Sequence, residues 1–567
     1  MIADTSHVQT GSIRTDFATF PSRSGLNICA CIDHRGDLSG RPWVVMAPKY
    51  GETKKNNLQL AYQLAANGVN VLRFDQTNHV GESEGRMQDF SLPGAVADIL
   101  GAYDFLEKSG HARSAVLVSN SLSARCAFRA AVEDRRISRL VSVVGVVNMQ
   151  RTLRAVYNED IFGTFLAGRH WGLTDILGFD INGEIFLGTA VDARMHDLDG
   201  TIEDLSRLRV PLVYLYATND AWVDAGDVER ALGPQPLARA IPIEGAMHEV
   251  RENPRAAEAV FRRVVWACLS AEDYPGDERA GLRDVDMRLV IAQNKRERER
   301  LRRSEMPTES ETSFWSGYLE KYSVLEKSED YRDYIRLLGR LCAFRPGAAV
   351  LDAGCGNGMF GRWALREVMH QRQATPSALP EPSIYIGLDL TDRGLRDAMG
   401  HHVDALARFP EELGRAGPPG FGYLRFDFND LSDPASGDAR LPFEDASFDV
   451  VCCSLVLSYL RKPLALLEEL HRVARPGAVL VLSSMKPHCD MSAIYRDFME
   501  QQADPEEIER ARNLLRAAGK IRQKEEVGHY AFFSDAELAG LATEAGFTVR
   551  EAMASLGNQA VVVKAQK

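Results

Sequence analysis

A serine, an aspartate and a histidine each follow an apolar run in the first half of the chain, and together they could carry out nucleophilic catalysis. Ser121 follows the apolar run 116–118 and precedes helix-forming residues, a strand–turn–helix pattern that lifts a serine hydroxyl above the edge of a sheet. Asp220 and His248 each follow a later apolar run. A free serine hydroxyl is protonated at neutral pH, so His248 would accept its proton and Asp220 would orient the imidazole. The sequence therefore predicts Ser121 as nucleophile, His248 as base and Asp220 as acid.

The elements that must position these residues alternate between strands and helices. Residues 11–40 predict a β-hairpin with its turn at 34–37. From Trp43 onward, apolar strands alternate with helical segments, which indicates a parallel sheet with helical crossovers. His79, in the loop 75–85, is the rival histidine. It precedes the serine in the chain, and its expected role is to order that loop.

The turn around Ser121 departs from the general G-x-S-x-G pattern, because Ser119 and Ser123 replace both glycines. Both replacements are small, so a tight turn remains sterically feasible. The backbone amides of Tyr50 and Leu122 are the predicted donors to the oxyanion of an acyl-transfer intermediate. Loss of one such donor typically costs about 3 kcal/mol of transition-state stabilisation.

Four stretches carry a closer resemblance: 121–125, 144–148, 219–223 and 78–83. They resemble the acyl-transferase of the bacterial bioluminescence fatty-acid reductase complex, an α/β-hydrolase. The resemblance covers roughly residues 12–265. It implies that Ser121 accepts a long acyl chain from an acyl carrier protein or coenzyme A thioester. The chain would then pass to water or to a partner enzyme such as an acyl-reductase or acyl-synthetase.

The same resemblance implies a cap over an acyl tunnel, formed by the insertion at about 151–205. Its aromatic residues could equally belong to the ordinary core. They are Phe162, Phe165, Trp171 and Phe179.

The composition changes beyond residue 270. The run 295–303 holds six basic and two acidic side chains with helical propensity. We expect a solvated connector helix, and a phosphate-binding face for an acidic partner is the alternative. The predicted organisation is a hydrolase domain over 1–270, a charged linker over 271–312 and a second domain over 313–567.

The second domain opens with a glycine-rich loop. Asp352 ends an apolar strand, and Gly354, Gly356 and Gly358 precede a helix. Such glycines let the backbone turn tightly and approach a ligand at the helix N-terminus, which a dinucleotide site would also need. The D-x-G-x-G-x-G spelling resembles motif I of class I S-adenosylmethionine-dependent methyltransferases, which have a Rossmann-like sheet. That resemblance covers roughly 314–567 and implies S-adenosylmethionine as cofactor.

Further positions carry the same resemblance. Asp389 ends the next predicted strand, and its carboxylate would accept both ribose hydroxyls. Asp427 and Phe428 stand where the family contacts adenine. His488 is the candidate base for methyl transfer, where a base is needed. Weaker candidates are Tyr459, His401, His402 and His529.

Composition limits the remaining classes. The net charge of −12 argues against general nucleic-acid binding. No apolar run approaches the roughly 20 residues of a membrane span, and the N-terminus lacks a signal-peptide pattern. The nine cysteines lack metal-ligand spacing, so we expect no metal site and reduced thiols in the cytoplasm.

Together these features predict two α/β domains in one bifunctional enzyme. A serine acyl-transferase or thioesterase is fused to a methyltransferase that modifies the product or a related intermediate in specialised lipid or polyketide-like metabolism. Two alternatives stay open: a carboxylesterase fused to an independent methyltransferase, or one domain acting as a non-catalytic module that senses S-adenosylmethionine or docks a partner. The sequence does not specify the acyl chain length or the methyl acceptor.

Overall fold

The computed structural model describes residues 13–567, apart from 252, 305–310, 320–322, 346, 375–382, 410–418, 433–439, 488, 490–503 and 527. It divides into two compact units. The first comprises Met1–Met306 with Ala518–Gly528, and the second comprises Pro307–Ala517 with His529–Lys567.

The first unit is built on an eight-stranded sheet in the order β1-β2-β4-β3-β5-β6-β9-β10. From β4 to β10 the neighbouring strands are parallel, whereas β1, β2 and β4 pair antiparallel. A separate hairpin, β7–β8, lies within the insertion. The strands are β1 (Arg14–Pro21), β2 (Asn27–His34), β3 (Trp43–Met46), β4 (Asn70–Phe74), β5 (Ala115–Asn120), β6 (Ile137–Val143), β7 (Leu173–Ile176), β8 (Phe179–Asn182), β9 (Leu212–Ala217) and β10 (Ala238–Ile243).

Helices connect these strands along the chain. They are Leu58–Ala66, Leu92–Lys108, Leu122–Glu133, Met149–Tyr157, Ile161–Leu166, Gly183–Asp192, Leu198–Ser206, Ala225–Leu232, Pro254–Leu269, Asp277–Ala280 and Met287–Ser304. The predicted hairpin is present, but the prediction of its turn at 34–37 was wrong. The turn lies at 22–26, where Gly25 adopts φ +92° and its N–H bonds the carbonyl of Ser22 at 3.0 Å.

The charged run is not solvated on every face. It lies in the helix Met287–Ser304, which groups with the first unit. There Glu297 is buried and accepts hydrogen bonds from the Arg73 guanidinium at 2.6 and 2.8 Å. Arg73 is itself fully buried and also bonds Asp33 at 2.6 Å. A buried guanidinium needs carboxylate partners, which explains why Glu297 of the predicted linker packs inward.

The second unit is built on a seven-stranded sheet in the order β13-β12-β11-β14-β15-β17-β16. The strands from β13 to β15 are parallel, and β17 and β16 complete the sheet antiparallel. The strands are β11 (Ala349–Ala353), β12 (Ile384–Asp389), β13 (Gly420–Arg425), β14 (Phe448–Ser454), β15 (Ala474–Met485), β16 (Thr548–Ser555) and β17 (Ala560–Gln566). The helices are Glu311–Leu319, Ser323–Lys327, Glu329–Cys342, Met359–Ala374, Asp392–Leu406, Pro463–Val473 and Asp535–Glu544, together with Pro505–Glu526, whose residues from Ala518 onward group with the first unit.

None of the helices described is both long and apolar enough to cross a membrane. Within the same residues, no cluster of three or more histidine, cysteine, aspartate or glutamate side chains could hold a metal ion. The nine cysteines are free thiols, and seven of them are buried.

Candidate active sites

Ser121 occupies a sharp turn between β5 and the helix Leu122–Glu133. Its backbone adopts φ +52° and ψ −126°, which a non-glycine residue rarely takes and which occurs at functional turns. The serines that replace the motif glycines stabilise this turn. The hydroxyl of Ser123 donates to the carbonyl of Asn120 at 2.8 Å and accepts from the amide of Asn120 at 3.0 Å. Ser119 pairs with the hydroxyl of Ser142 at 3.1 Å.

The structure brings the three predicted catalytic residues together. Ser121 Oγ lies 2.8 Å from His248 Nε2, and His248 Nδ1 lies 2.9 Å from Asp220 Oδ2. The second carboxylate oxygen of Asp220 accepts the backbone amides of Trp222 at 2.8 Å and Val223 at 3.0 Å. The Trp222 ring stacks on the imidazole, with centroids 4.7 Å apart and planes 13° from parallel. The arrangement can relay a proton from the serine hydroxyl to an oriented imidazole.

The backbone amides predicted to bind the oxyanion are those of Tyr50 and Leu122. In the described part of the chain, the amides of Tyr50 and Leu122 donate to no other residue. The amide of the next residue after Tyr50, Gly51, is already bonded to His79 Nε2 at 3.0 Å. The amides of Tyr50 and Leu122 are therefore unoccupied, and their role as oxyanion donors stays a prediction.

His79 holds the loop that carries Tyr50. Burial lowers its pKa to about 4, so the imidazole is neutral at physiological pH and can accept the Gly51 N–H. Around it lie the rings of Tyr50, Phe90 and Phe179, with centroids 5.5, 5.2 and 6.5 Å away. In the described residues, this rival histidine makes no hydrogen bond to Ser121. It instead orders the loop 49–51, the predicted oxyanion loop.

Two ion pairs join the oxyanion loop to the loop of the base. Lys49, which precedes Tyr50, pairs with Glu249, which follows His248. Arg251 bonds Glu52 at 2.6 Å and also bonds Glu249. These groups are mostly buried, and Arg522 also pairs with both glutamates, so the charges form a network in which each carboxylate has more than one cationic partner. The pairs fix the spacing between the oxyanion donors and the base.

The insertion reaches the same loop. Phe179, in β8, packs against Gly51 so closely that a Cβ on Gly51 would lie 2.6 Å from its ring. Gly51 also adopts φ +78°, so glycine is needed there for two reasons. Phe162 and Phe179 are buried, whereas Phe165 and Trp171 are half-buried.

In the second unit, the glycine loop follows β11 as predicted. Gly354, Gly356 and Gly358 all adopt positive φ, at +86°, +50° and +80°. The amides of Gly354 and Cys355 donate to the carbonyl of Leu388 at 2.8 Å. A Cβ on Gly358 would lie 2.7 Å from Ala398, so the loop approaches its neighbours too closely for a side chain. This cradle fits a small ligand held by backbone groups.

Two acidic residues border the glycine loop. Asp389, at the end of β12, accepts the Gly356 amide at 2.9 Å and the Thr391 amide at 2.8 Å. Asp352 accepts the Tyr385 hydroxyl at 2.5 Å. Burial raises the pKa of Asp389 and raises that of Asp352 to about 7. Asp352 is buried and Asp389 is half-buried, and carboxyls at strand ends suit a ligand that brings hydroxyl donors and positive charge, as S-adenosylmethionine does.

The histidines at 401 and 402 bind the glycine loop from behind. His402 Nε2 donates to the carbonyl of Gly358 at 2.9 Å, and its Nδ1 accepts the Tyr423 hydroxyl at 2.6 Å. His401 Nδ1 lies 2.8 Å from the carbonyl of Asn357. Burial lowers the pKa of His402 to about 4. Both side chains support the loop, so as bases for methyl transfer they are poorly placed.

The remaining predicted positions differ in their surroundings. Asp427 accepts the Asn429 amide at 2.9 Å and so caps a short turn, while Phe428 is buried in the core. Tyr459 lies beyond the end of β14 within an aromatic cluster that includes Tyr530. His488 lies outside the described residues.

The sheets and the two loops define the class of protein: an α/β-hydrolase domain followed by a Rossmann-like methyltransferase domain, which confirms the predicted fold class. Residues 42–270 match the family model described as acyl transferase, and residues 326–552 match the one described as methyltransferase domain. The acyl transferase of Photobacterium phosphoreum is 28% identical over 232 residues, covering 40% of this chain and 75% of that protein. That of Photobacterium leiognathi is 28% identical over 264 residues, covering 43% and 85%. The chain thus joins an acyl transferase domain to a methyltransferase domain.

Solved structures resemble each half. Est1E from Butyrivibrio proteoclasticus with bound ferulic acid is 16% identical, with a TM-score of 0.38, over 44% of this chain and 99% of that chain. A SAM dependent methyltransferase from Aquifex aeolicus is 17% identical, with a TM-score of 0.25, over 47% and 97%.

Proposed function

We propose that the first unit transfers acyl groups from carrier-protein or coenzyme A thioesters through Ser121, His248 and Asp220. The second unit uses S-adenosylmethionine to methylate the product or a related intermediate. The observation that carries the proposal is the hydrogen-bonded chain from Ser121 through His248 to Asp220. The match to acyl transferases supports the transfer of an acyl group. The thioester donor, and an acyl-reductase or acyl-synthetase as acceptor enzyme, are what the resemblance of the sequence implies.

The acyl step follows from the geometry. His248 Nε2 takes the proton of Ser121 Oγ as the oxygen bonds to the thioester carbonyl carbon. The amides of Tyr50 and Leu122 donate to the carbonyl oxygen as it becomes negative, each contributing about 3 kcal/mol. Collapse breaks the carbon–sulfur bond, and the imidazolium returns its proton to the leaving thiol. Water or a second acceptor then attacks the acyl carbonyl carbon as His248 takes its proton. The bond to Ser121 Oγ breaks, and the imidazolium gives the proton back to that oxygen.

The methyl step rests on residues that would hold the cofactor. Asp389 would accept the ribose hydroxyls, Asp352 would face the charged methionine portion, and the three glycines would let the backbone close around it. Bound S-adenosylmethionine supplies an electrophilic methyl group. The protein then needs only to hold an acceptor nucleophile in line with it and to exclude water.

Trapping the acyl-enzyme tests the first half. The parent protein is incubated with an acyl-carrier thioester and with a short ester, then digested and analysed by mass spectrometry. We expect an acyl adduct on the peptide with Ser121, its absence in Ser121→Ala, and its retention in the exposed control Ser114→Ala. An adduct that persists in Ser121→Ala would refute the assignment of the nucleophile, and turnover of short esters alone would favour a carboxylesterase.

Calorimetry tests the second half. Asp389→Ala should weaken S-adenosylmethionine binding by at least about tenfold, since hydrogen bonds to a charged group are worth about 1.5–3 kcal/mol. The exposed control Asp392→Ala should bind as the parent does. Cofactor binding without any methylated product in cell extract would instead favour a sensing module.

A further inference from the structure

The first unit contains a short segment from far along the chain. Residues Ala518–Gly528, which we name the strap, group with Met1–Met306. The strap and the loops that it contacts are distant in sequence, since Arg522 and Glu52 are 470 positions apart. The strap therefore brings to the acyl-transferase unit groups that its first 306 residues do not supply.

The strap contacts the turn between β7 and β8 of the insertion. Gly178, in that turn, adopts φ +89° and lies so near Gly519 that a Cβ on either residue would be 2.2 Å from the Cα of the other. Phe179, the next residue after the turn, is the one that packs against Gly51 of the oxyanion loop. The two glycines thus let the strap approach the insertion backbone to backbone, next to a ring that supports the oxyanion loop.

Arg522 of the strap binds two carboxylates beside the catalytic groups. Its guanidinium donates to Glu52 at 2.8 Å and to Glu249 at 3.4 Å. The side chains of these glutamates are only 0% and 1% exposed. Glu52 directly follows the oxyanion loop, and Glu249 directly follows His248. One cation therefore bonds the residue after the oxyanion donors and the residue after the base.

The far end of the strap is anchored separately. Glu525 accepts a hydrogen bond from Lys55 at 3.3 Å, and both side chains are mostly buried. Gly528 lies against the helix Met287–Ser304, where a Cβ on it would be 2.5 Å from the carbonyl oxygen of Arg298. Contacts on both sides of Arg522 along the strap therefore set the position of its guanidinium.

We propose that Arg522 is a positioning residue for acyl transfer, and that it fixes the oxyanion loop relative to His248 through Glu52 and Glu249. The inference rests on the acyl transfer proposed above. Two buried carboxylates that share a guanidinium repel each other, so their spacing depends on the cations between them. Arg251 also bonds both of them, and Arg522 adds a second shared cation. Without Arg522 the two loops can shift, and the chemical step slows.

The test measures the burst of p-nitrophenol from an acyl ester by stopped flow, over a range of ester concentrations, with the full-length protein. Arg522→Gln removes the charge shared by the two glutamates. Arg522→Lys keeps a charge but lacks the fork of donors that reaches both. Lys520→Gln removes an exposed cation of the same strap and is the matched control. Circular dichroism and thermal unfolding show whether each variant is folded.

We expect Arg522→Gln to lower the acylation rate at saturating ester about tenfold, because small displacements of catalytic groups cost up to about 100-fold. The half-saturating ester concentration should stay unchanged, since the residues that Arg522 bonds position the reacting groups. Arg522→Lys should have an intermediate rate, and Lys520→Gln should match the parent. A folded Arg522→Gln protein with the parent's rate would overturn the inference. So would equal slowing in Lys520→Gln, or a change in the half-saturating concentration alone.

Gly519→Ala tests the strap without any change of charge. Alanine favours a helix, but its methyl group would collide with the backbone of Gly178 and displace the strap. We expect a slower saturating rate in this variant and the parent's rate in Gly540→Ala, a helical glycine with open space around it. If Arg522→Gln does not fold, the parent's rate in Gly519→Ala overturns the inference. A parent protein that shows no burst at all would instead refute the proposed acyl transfer.

Discussion

Replacing His79 by leucine tests how the oxyanion loop is positioned. The substitution removes the acceptor that lies 3.0 Å from the Gly51 amide. Because His79 is buried among the rings of Tyr50, Phe90 and Phe179, water cannot easily take its place. An unsatisfied buried donor costs about 1–3 kcal/mol. Gly51 follows Tyr50 directly, so the loop can regain that energy only by turning the peptide and displacing the oxyanion donor.

If the whole cost is expressed in the transition state, acylation slows by roughly 5- to 150-fold. The assay is the burst of p-nitrophenol from an acyl ester, measured by stopped flow so that acylation is separated from release. Circular dichroism and thermal unfolding show whether the variant is folded.

His79→Gln is the matched control, since its amide oxygen can take the place of Nε2 as acceptor. We expect it to recover most of the acylation rate. A folded His79→Leu protein that acylates as fast as the parent would refute the argument that this histidine positions the loop. Equal loss in both variants would show that ring packing, rather than the hydrogen bond, is what matters.

Three further outcomes follow from the two sites. Trp222→Leu should lower the acylation rate by about 2- to 30-fold, with Trp222→Phe in between, because the stacked indole stabilises the imidazolium of His248 by about 0.5–2 kcal/mol; stopped-flow bursts check the order. Burial raises the pKa of Asp352 to about 7, so between about pH 4 and pH 7 this residue holds a proton in the folded state that the unfolded chain has lost. The free energy of unfolding of the second unit should therefore fall as the pH rises through this range, by up to about 1.4 kcal/mol per pH unit. Denaturation at a series of pH values should show that slope in the parent and not in Asp352→Asn. His402→Leu, which removes the donor to the Gly358 carbonyl, should weaken S-adenosylmethionine binding several-fold in calorimetry while the unit stays folded.

The sequence sufficed where the determining signal was local or ordered along the chain. The turn at Ser121 and the glycines after Asp352 follow from short patterns, because a strand that runs into a tight turn and a helix needs small residues there. Asp220 and His248 could be assigned because parallel strands place their carboxyl-end loops on one edge of the sheet. The order of these loops then selects the partners of the serine.

What the sequence could not supply depends on contacts between distant residues. His79 and Gly51 are 28 positions apart, Arg73 and Glu297 are 224 apart, and nothing near Glu297 distinguishes it from its solvated neighbours. The hairpin turn was misplaced because the pattern at residues 34–37 is as turn-like as the one at 22–26. Similarly, no pattern in the chain reveals which face of a helix His402 occupies.

The oxyanion loop of the first unit and the glycine loop of the second unit are held in the same way, although they belong to unrelated folds. In each, a histidine is buried deeply enough that its pKa falls to about 4, which keeps the imidazole neutral. A neutral imidazole offers one donor and one acceptor, so it can accept a hydrogen bond from a backbone N–H or donate one to a backbone carbonyl. His79 accepts the amide of Gly51, and His402 donates to the carbonyl of Gly358. Glycine gives each loop its freedom to turn, and the buried histidine removes the part of that freedom that ligand binding would otherwise have to overcome.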